Sequence, residues 1–154
     1  MVIPLPTLRK FEINPIGFVK RLSFNENERN RSLVSKIELE KDFAKGLDGI
    51  EDWSHIYVIF WMHRILDKEK MLVHPGGRRN VGIFATRAPV RPNPIGLTLV
   101  ELVKREENVL YVRGLDALDG TPVLDIKPYP DWERGHLIVV DNFRIPKWIK
   151  EITK

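Results

Sequence analysis

Two sets of residues in this chain are of types and spacings that could do chemistry. Arg87, Arg91 and Asn93 are interleaved with Pro89, Pro92 and Pro94 in the stretch RAPVRPNP. Proline holds φ near about −65° and cannot donate to a ladder, so a link this rich in it is neither helix nor central strand but a stiff extended loop. Guanidinium and carboxamide groups on a mount with little entropy left to lose suit gripping an anion or a base edge. The plainer alternative is a rigid surface connection whose arginines are merely solvated. In the second set, Asp125 and Lys127 alternate with Leu124 and Ile126 and lead to Tyr129. A strand there presents a carboxylate, an amine and a phenol on one face, or simply carries a surface salt bridge.

Charge patterning favours an anionic partner. Residues 70–100 contain no Asp or Glu, yet hold Lys70, His74, Arg78, Arg79, Arg87 and Arg91. Such a block is an electrostatic footprint for phosphate, and nucleic acid is the natural partner. The overall formal charge of +4 is compatible with RNA but does not require it.

Composition narrows the chemistry further. The chain has no cysteine, which removes disulfides, thiolate zinc sites and cysteine nucleophiles together. His55, His63, His74 and His136 fall at no metal-ligand spacing, so no metal is expected. There is no Rossmann turn, Walker loop or Gly-x-Ser-x-Gly, and no triad or acid pair suited to a hydrolase. The opening MVIPLPTLRKF is too short in its apolar part for a signal peptide or membrane span, so a cytoplasmic protein is expected. With 154 residues, 43% hydrophobic and 30% charged, one globular domain over 1–154 is expected, with a core of about 11–145 and a tail at 146–154.

The elements that must position these groups are short and β-favouring. Strands are expected over 11–19, 35–39, 53–64, 81–85, 95–103, 109–114, 123–129 and 137–140, with a helical turn at 41–47 stopped by Gly46. The run at 53–64 is the longest β signal, and its near-continuous apolarity suggests cover on both faces. Period two groups His55, Tyr57, Ile59, Trp61 and His63 on one face and Ile56, Val58, Phe60, Met62 and Arg64 on the other. A histidine such as His63 at a strand end is most often a hydrogen-bonded structural residue. Pro75-Gly76-Gly77 guarantees a turn in the long 67–80 connection, and residues 25–32 read as a polar loop. These features predict a mainly β fold: a small single-domain β-barrel with one short helix and long loops.

The run Gly82-Ile83-Phe84-Ala85-Thr86-Arg87-Ala88-Pro89-Val90-Arg91-Pro92-Asn93-Pro94-Ile95-Gly96-Leu97 closely resembles the TsaA-like family, whose bacterial members include tRNA methyltransferases. The resemblance extends to Pro15-Ile16-Gly17, to Gly46-Leu47, to Ser54-His55, to His63 and to residues 119–129, DGTPVLDIKPY. It implies a β-barrel homodimer that binds S-adenosyl-L-methionine, with the site near a subunit boundary. It further implies transfer of a methyl group to the exocyclic nitrogen of threonylcarbamoyl-adenosine beside the anticodon of tRNA. Matched residue by residue, His63, Arg64, Arg87, Leu97, Ala117, Leu118, Asp119 and Gly120 would contact the cofactor. Arg87, Asn93, Asp125 and Tyr129 are the candidates for catalysis. Sulfonium methyl transfer needs orientation and a polar cage but neither metal nor covalent nucleophile, and a proton acceptor could be Asp125, Tyr129 or solvent. The family's Pro-Arg-Gln-like segment has no counterpart in the loop around residues 25–31, and the chain ends soon after the barrel, without the extra C-terminal domain of longer members. A non-catalytic adenosylmethionine-binding or RNA-binding barrel is the competing reading.

Overall fold

In the computed structural model, which describes residues 10–21, 32–66, 70–77 and 80–152, alternating apolar residues build the strands. These are β1 (Gly17–Arg21), β2 (Val34–Leu39), β3 (His55–Trp61), β4 (Leu72–Val73), β5 (Val81–Gly82), β6 (Ile95–Glu106), β7 (Val109–Arg113), β8 (Pro122–Tyr129), β9 (Trp132–Glu133) and β10 (His136–Leu137). Six of them close into an antiparallel barrel in the order β1-β2-β7-β6-β3-β8, while β4 pairs with β5 and β9 with β10 as separate ribbons. Val19, Ile37, Ile56, Val58, Val100, Leu110, Val112 and Val123 point inward and are exposed by 1% or less. Each such side chain contributes about 1.5–3 kcal/mol of burial, so the barrel interior is the main source of stability.

Two glycines make the closure possible. A Cβ on Gly17 would run into the backbone of Glu38 and Leu39, and one on Gly96 would run into the Phe60 ring. Gly17 therefore lets β1 and β2 approach, and Gly96 leaves room for an aromatic side chain at the barrel mouth.

A 3-10 turn at Lys41–Leu47 covers the end where β2 leaves and β3 enters, burying Leu47 in the core cluster. Arg105 fastens it. Its guanidinium donates to the carbonyls of Leu47 (2.9 Å), Ala44 (3.2 Å) and Glu107 (2.7 Å) and to Asp48 Oδ1 (3.2 Å), and its side chain is only 14% exposed.

The barrel agrees with the sequence reading, with several local differences. Residues 11–15 are not strand; β1 begins only after Pro15 and runs on to Arg21. Gly46 lies inside the 3-10 turn, which continues to Leu47. The longest strand is β6, with 12 residues, not β3 with 7. β3 is buried on its Ile56-Val58-Phe60 face alone, because the barrel has one interior and the other face looks outward. Residues 81–85 give only two strand residues outside the barrel and then a 3-10 turn, Ile83–Ala85. The strand expected at 137–140 shrinks to His136–Leu137. The 146–154 tail contains helix α1 (Lys147–Ile152). The polar loop at 25–31 lies outside the described residues.

Candidate functional site

Among the described residues, no element covers the end of the barrel opposite the Lys41–Leu47 turn as that turn covers the other. β3 delivers Phe60, and just past its last residue come Met62, Arg64 and Ile65; a turn at residues 63–64, closed by Ile65 N donating to the Met62 carbonyl (3.2 Å), carries Arg64 to the barrel mouth. Arg21, last residue of β1, and the connection between β7 and β8, with Asp116, Ala117, Leu118 and Thr121, face them. The loop at 87–94 brings Arg87 and Pro89. Together these line a cavity of about 270 Å³ whose walls are largely apolar and whose charged groups, among the described residues, are three arginines and one aspartate.

Hydrogen bonds hold this rim in shape. Arg21 N donates to Asp119 Oδ1 (2.8 Å) and Arg21 Nη2 to the Leu115 carbonyl (3.3 Å). Gly120 N donates to the Val19 carbonyl (2.9 Å) from a positive φ of 73°, a backbone setting that favours glycine. The proline loop is pinned at both ends. Met62 N donates to the Pro94 carbonyl (2.7 Å), and Arg91 Nη1 donates to the carbonyls of Thr86 (3.2 Å) and Ala88 (3.0 Å). Arg91 thus staples its own loop. Arg87 spends one donor, Nη2, on the Leu97 carbonyl (2.7 Å) and is otherwise exposed, so the rest of its fork is presented to whatever enters.

The outer face of β3 and its neighbours forms a second locus. Tyr129 packs edge-on against Tyr57 (5.7 Å between centroids) and His55 (6.5 Å). Burial pushes the Tyr57 phenol above its ordinary value, Asp131 and Tyr129 add to this, and the nearby Arg87 guanidinium opposes it. Ile95, Leu97, Leu99, Val103 and Tyr129 stand 39–44% exposed across this region, an apolar outer surface on strands whose inner faces are already in the core.

The site residues expected from the sequence are distributed unevenly. Arg64, Arg87, Ala117 and Leu118 meet in the cavity; Asp119 and Gly120 brace its rim. Leu97 is on the outer face and reaches the site through its carbonyl alone. His63 is exposed in the turn after β3, off the cavity lining. Asn93 lines a different, outer groove with Trp61, Ile95 and Leu124. Asp125 pairs with Lys127 at 2.9 Å, which is the plain surface salt bridge, and separately accepts from its own neighbour Ile126 N (2.9 Å); the hydrogen bond from Lys127 to Asp125 is the chief cause that holds the Lys127 pKa above its ordinary value. Arg78 and Arg79 lie outside the described residues. Arg21, Asp116, Thr121 and Ile65 were not foreseen. They come from strand ends and connections, and only Met62 and Phe60 carried a signal, through their shared face with Arg64.

No helix among the described residues is long and apolar enough to cross a membrane. An S-adenosyl-L-methionine-binding protein of Archaeoglobus fulgidus is 44% identical over 122 residues, covering 76% of this chain and 88% of that one. A crystal structure of TrmO from Pseudomonas aeruginosa superposes with a TM-score of 0.70 at 31% identity, over 92% of this chain and 62% of that one, so this chain spans somewhat under two thirds of that protein. A second TrmO structure from the same organism gives 0.64 at 34% identity, over 80% and 57%. Residues 25–132, which hold five of the six barrel strands and the Arg87 loop, match the tRNA-methyltransferase O N-terminal domain, and the chain belongs to that family.

Proposed function

We propose that this chain is an S-adenosyl-L-methionine-dependent tRNA methyltransferase acting on the exocyclic nitrogen of threonylcarbamoyl-adenosine next to the anticodon. The observation that carries the cofactor reading is the open-end cavity, which combines apolar walls from Phe60, Met62, Ile65 and Pro89 with Arg64, Arg87 and Asp116. That donor set fits a zwitterionic, aromatic-bearing sulfonium: Arg87 suits its carboxylate bidentately, Asp116 its cationic side, and the apolar wall its ring. Bound there, the cofactor supplies an electrophilic methyl group. The protein's part is to orient it and exclude competing water, which needs no covalent enzyme nucleophile. Asp119 keeps the rim rigid through Arg21 N, and Arg91 fixes the loop that aims Arg87.

Neither Asp125 nor Tyr129 reaches this cavity, and Asp125 is already paired with Lys127. Solvent is therefore the proton acceptor we favour. The same observation favours the second reading, a barrel that binds adenosylmethionine without turnover. The exposed apolar strip of Ile95, Leu97, Leu99 and Tyr129 is the surface we assign to a symmetric homodimer, which would put the Arg87–Leu97 contact beside the subunit boundary. The cytoplasm, where tRNA is modified, is the expected compartment.

The test is twofold. Titration calorimetry should detect adenosylmethionine binding that Arg87→Ala weakens, and mass spectrometry should find the N-methylated nucleoside in anticodons only from cells that contain the protein. Binding without any change in anticodon nucleosides would favour the non-catalytic reading; no heat with the cofactor would refute both.

A further inference from the structure

A second cavity, of about 680 Å³, also meets Arg87 and is walled by Val73, His74, Phe84, Thr86 and Trp148. Arg87 lines both this cavity and the smaller one at the barrel mouth. Every residue from 131 to 147 is exposed, and the chain becomes half-buried again only at Trp148 and Ile149, both of which line this cavity. Among the described residues, the tail thus returns to the body at this wall.

We propose that this cavity receives the acceptor nucleobase of the RNA, with Phe84 and Trp148 as stacking surfaces and Arg87 as the group shared between acceptor and donor. The inference rests on the methyltransferase reading. In-line transfer requires the attacking nitrogen to approach the methyl carbon opposite the sulfur, so the acceptor site must adjoin the donor site. A purine has two π faces and no strong charge; an aromatic wall recognises it whatever its edge carries. Phe84 is 76% exposed, an arrangement with no packing purpose in the barrel itself. Among the described residues no Asp or Glu lines the cavity, while Arg87 and His74 offer donors to a phosphate or to a carboxylate carried by the base. The volume lies within the usual range for nucleotide-sized ligands. In the transfer itself, the nitrogen lone pair forms the new N–C bond and the sulfur–carbon pair returns to sulfur, leaving a neutral thioether. The proton lost from nitrogen goes to water in the open cavity.

The experiment uses the full chain with Phe84→Ala, Trp148→Ala and Trp148→Phe. Its substrates are tRNA from cells lacking the protein and a synthetic anticodon stem-loop RNA carrying the threonylcarbamoyl base. Loss of one stacking surface should raise the KM for tRNA and the Kd for the stem-loop by about 5- to 150-fold. Trp148→Phe should restore most of this, and the Kd for adenosylmethionine should stay within about twofold of wild type throughout. Unchanged RNA affinity in both alanine variants, with melting curves like wild type, overturns the proposal. So does an equal loss of adenosylmethionine affinity, which would make the cavity part of the donor site, or a change in molar mass by light scattering, which would make it a contact between copies. If wild type transfers no methyl group, the methyltransferase reading fails by that result alone, and the stem-loop titrations still decide whether the cavity takes a base.

Discussion

The two ends of the barrel use the same residue type for opposite purposes. At the sealed end, Arg105 is 14% exposed and spends its donors on three backbone carbonyls and the Asp48 carboxylate, holding the Lys41–Leu47 turn over the core. At the open end, Arg87 is exposed and commits one nitrogen to the Leu97 carbonyl. An arginine saturated by the protein stabilises the fold, because removing it strands buried acceptors. One held by a single bond is oriented and still able to grip a ligand. The distinction separates cations whose donors the fold consumes from those it leaves available for a ligand.

The comparison can be broken most directly at Arg105. Arg105→Met should lower the unfolding free energy by about 3 kcal/mol, since the part-buried carbonyls of Leu47 and Ala44 lose their partner at once and the Asp48 pair is broken; urea denaturation measures it. A loss below about 0.5 kcal/mol, the level of an ordinary surface change, would erase the contrast. Gly96→Ala sharpens it from the other side. The new methyl meets the Phe60 ring, so we expect a cost of about 2 kcal/mol and, because Phe60 also lines the cavity, weaker cofactor binding in calorimetry. Arg87→Ala should change stability by less than about 0.5 kcal/mol yet weaken adenosylmethionine binding by at least about tenfold.

The smallest effect concerns pH. Burial, aided by Asp131 and Tyr129, raises the Tyr57 phenol above 10.0, so the folded state disfavours its ionised form. That contribution is complete below the unfolded value near 10 and is lost as pH rises through the higher folded value. Stability should therefore fall with pH above about 10, and Tyr57→Phe should make that fall shallower. Parallel denaturation series for the two proteins across that range would decide it, identical slopes counting against a perturbed Tyr57.

Much of this was legible in one dimension. Period two in residues 55–61 separated the Ile56-Val58-Phe60 face, which is buried, from the His55-Tyr57-Ile59-Trp61 face, but which of the two looks inward was settled by barrel closure alone. The three prolines at 89, 92 and 94 fixed the character of the Arg87 loop, since their constraint is local. By contrast, residues 81–85 have strand composition yet mostly form a 3-10 turn, as no neighbouring barrel strand is there to pair with them.

The sequence by itself determined the barrel class, the stiff cationic loop and the family, because all three reside in contiguous residues whose conformational preferences and chemistry are local. Only the tertiary structure decided which cations are spent and which remain to bind. Arg91 and Arg87 are four positions apart in one motif, but Arg91 turns onto the carbonyls of Thr86 and Ala88 while Arg87 lines two cavities, one assembled from strand ends and connections and one from turns and the tail helix, far apart in the chain. Likewise Asp125 looked like a reactive carboxylate until closure of β8 against β3 left it outside, beside Lys127. A side chain's chemistry is set by its type, but its availability depends on which distant acceptors the fold brings within reach.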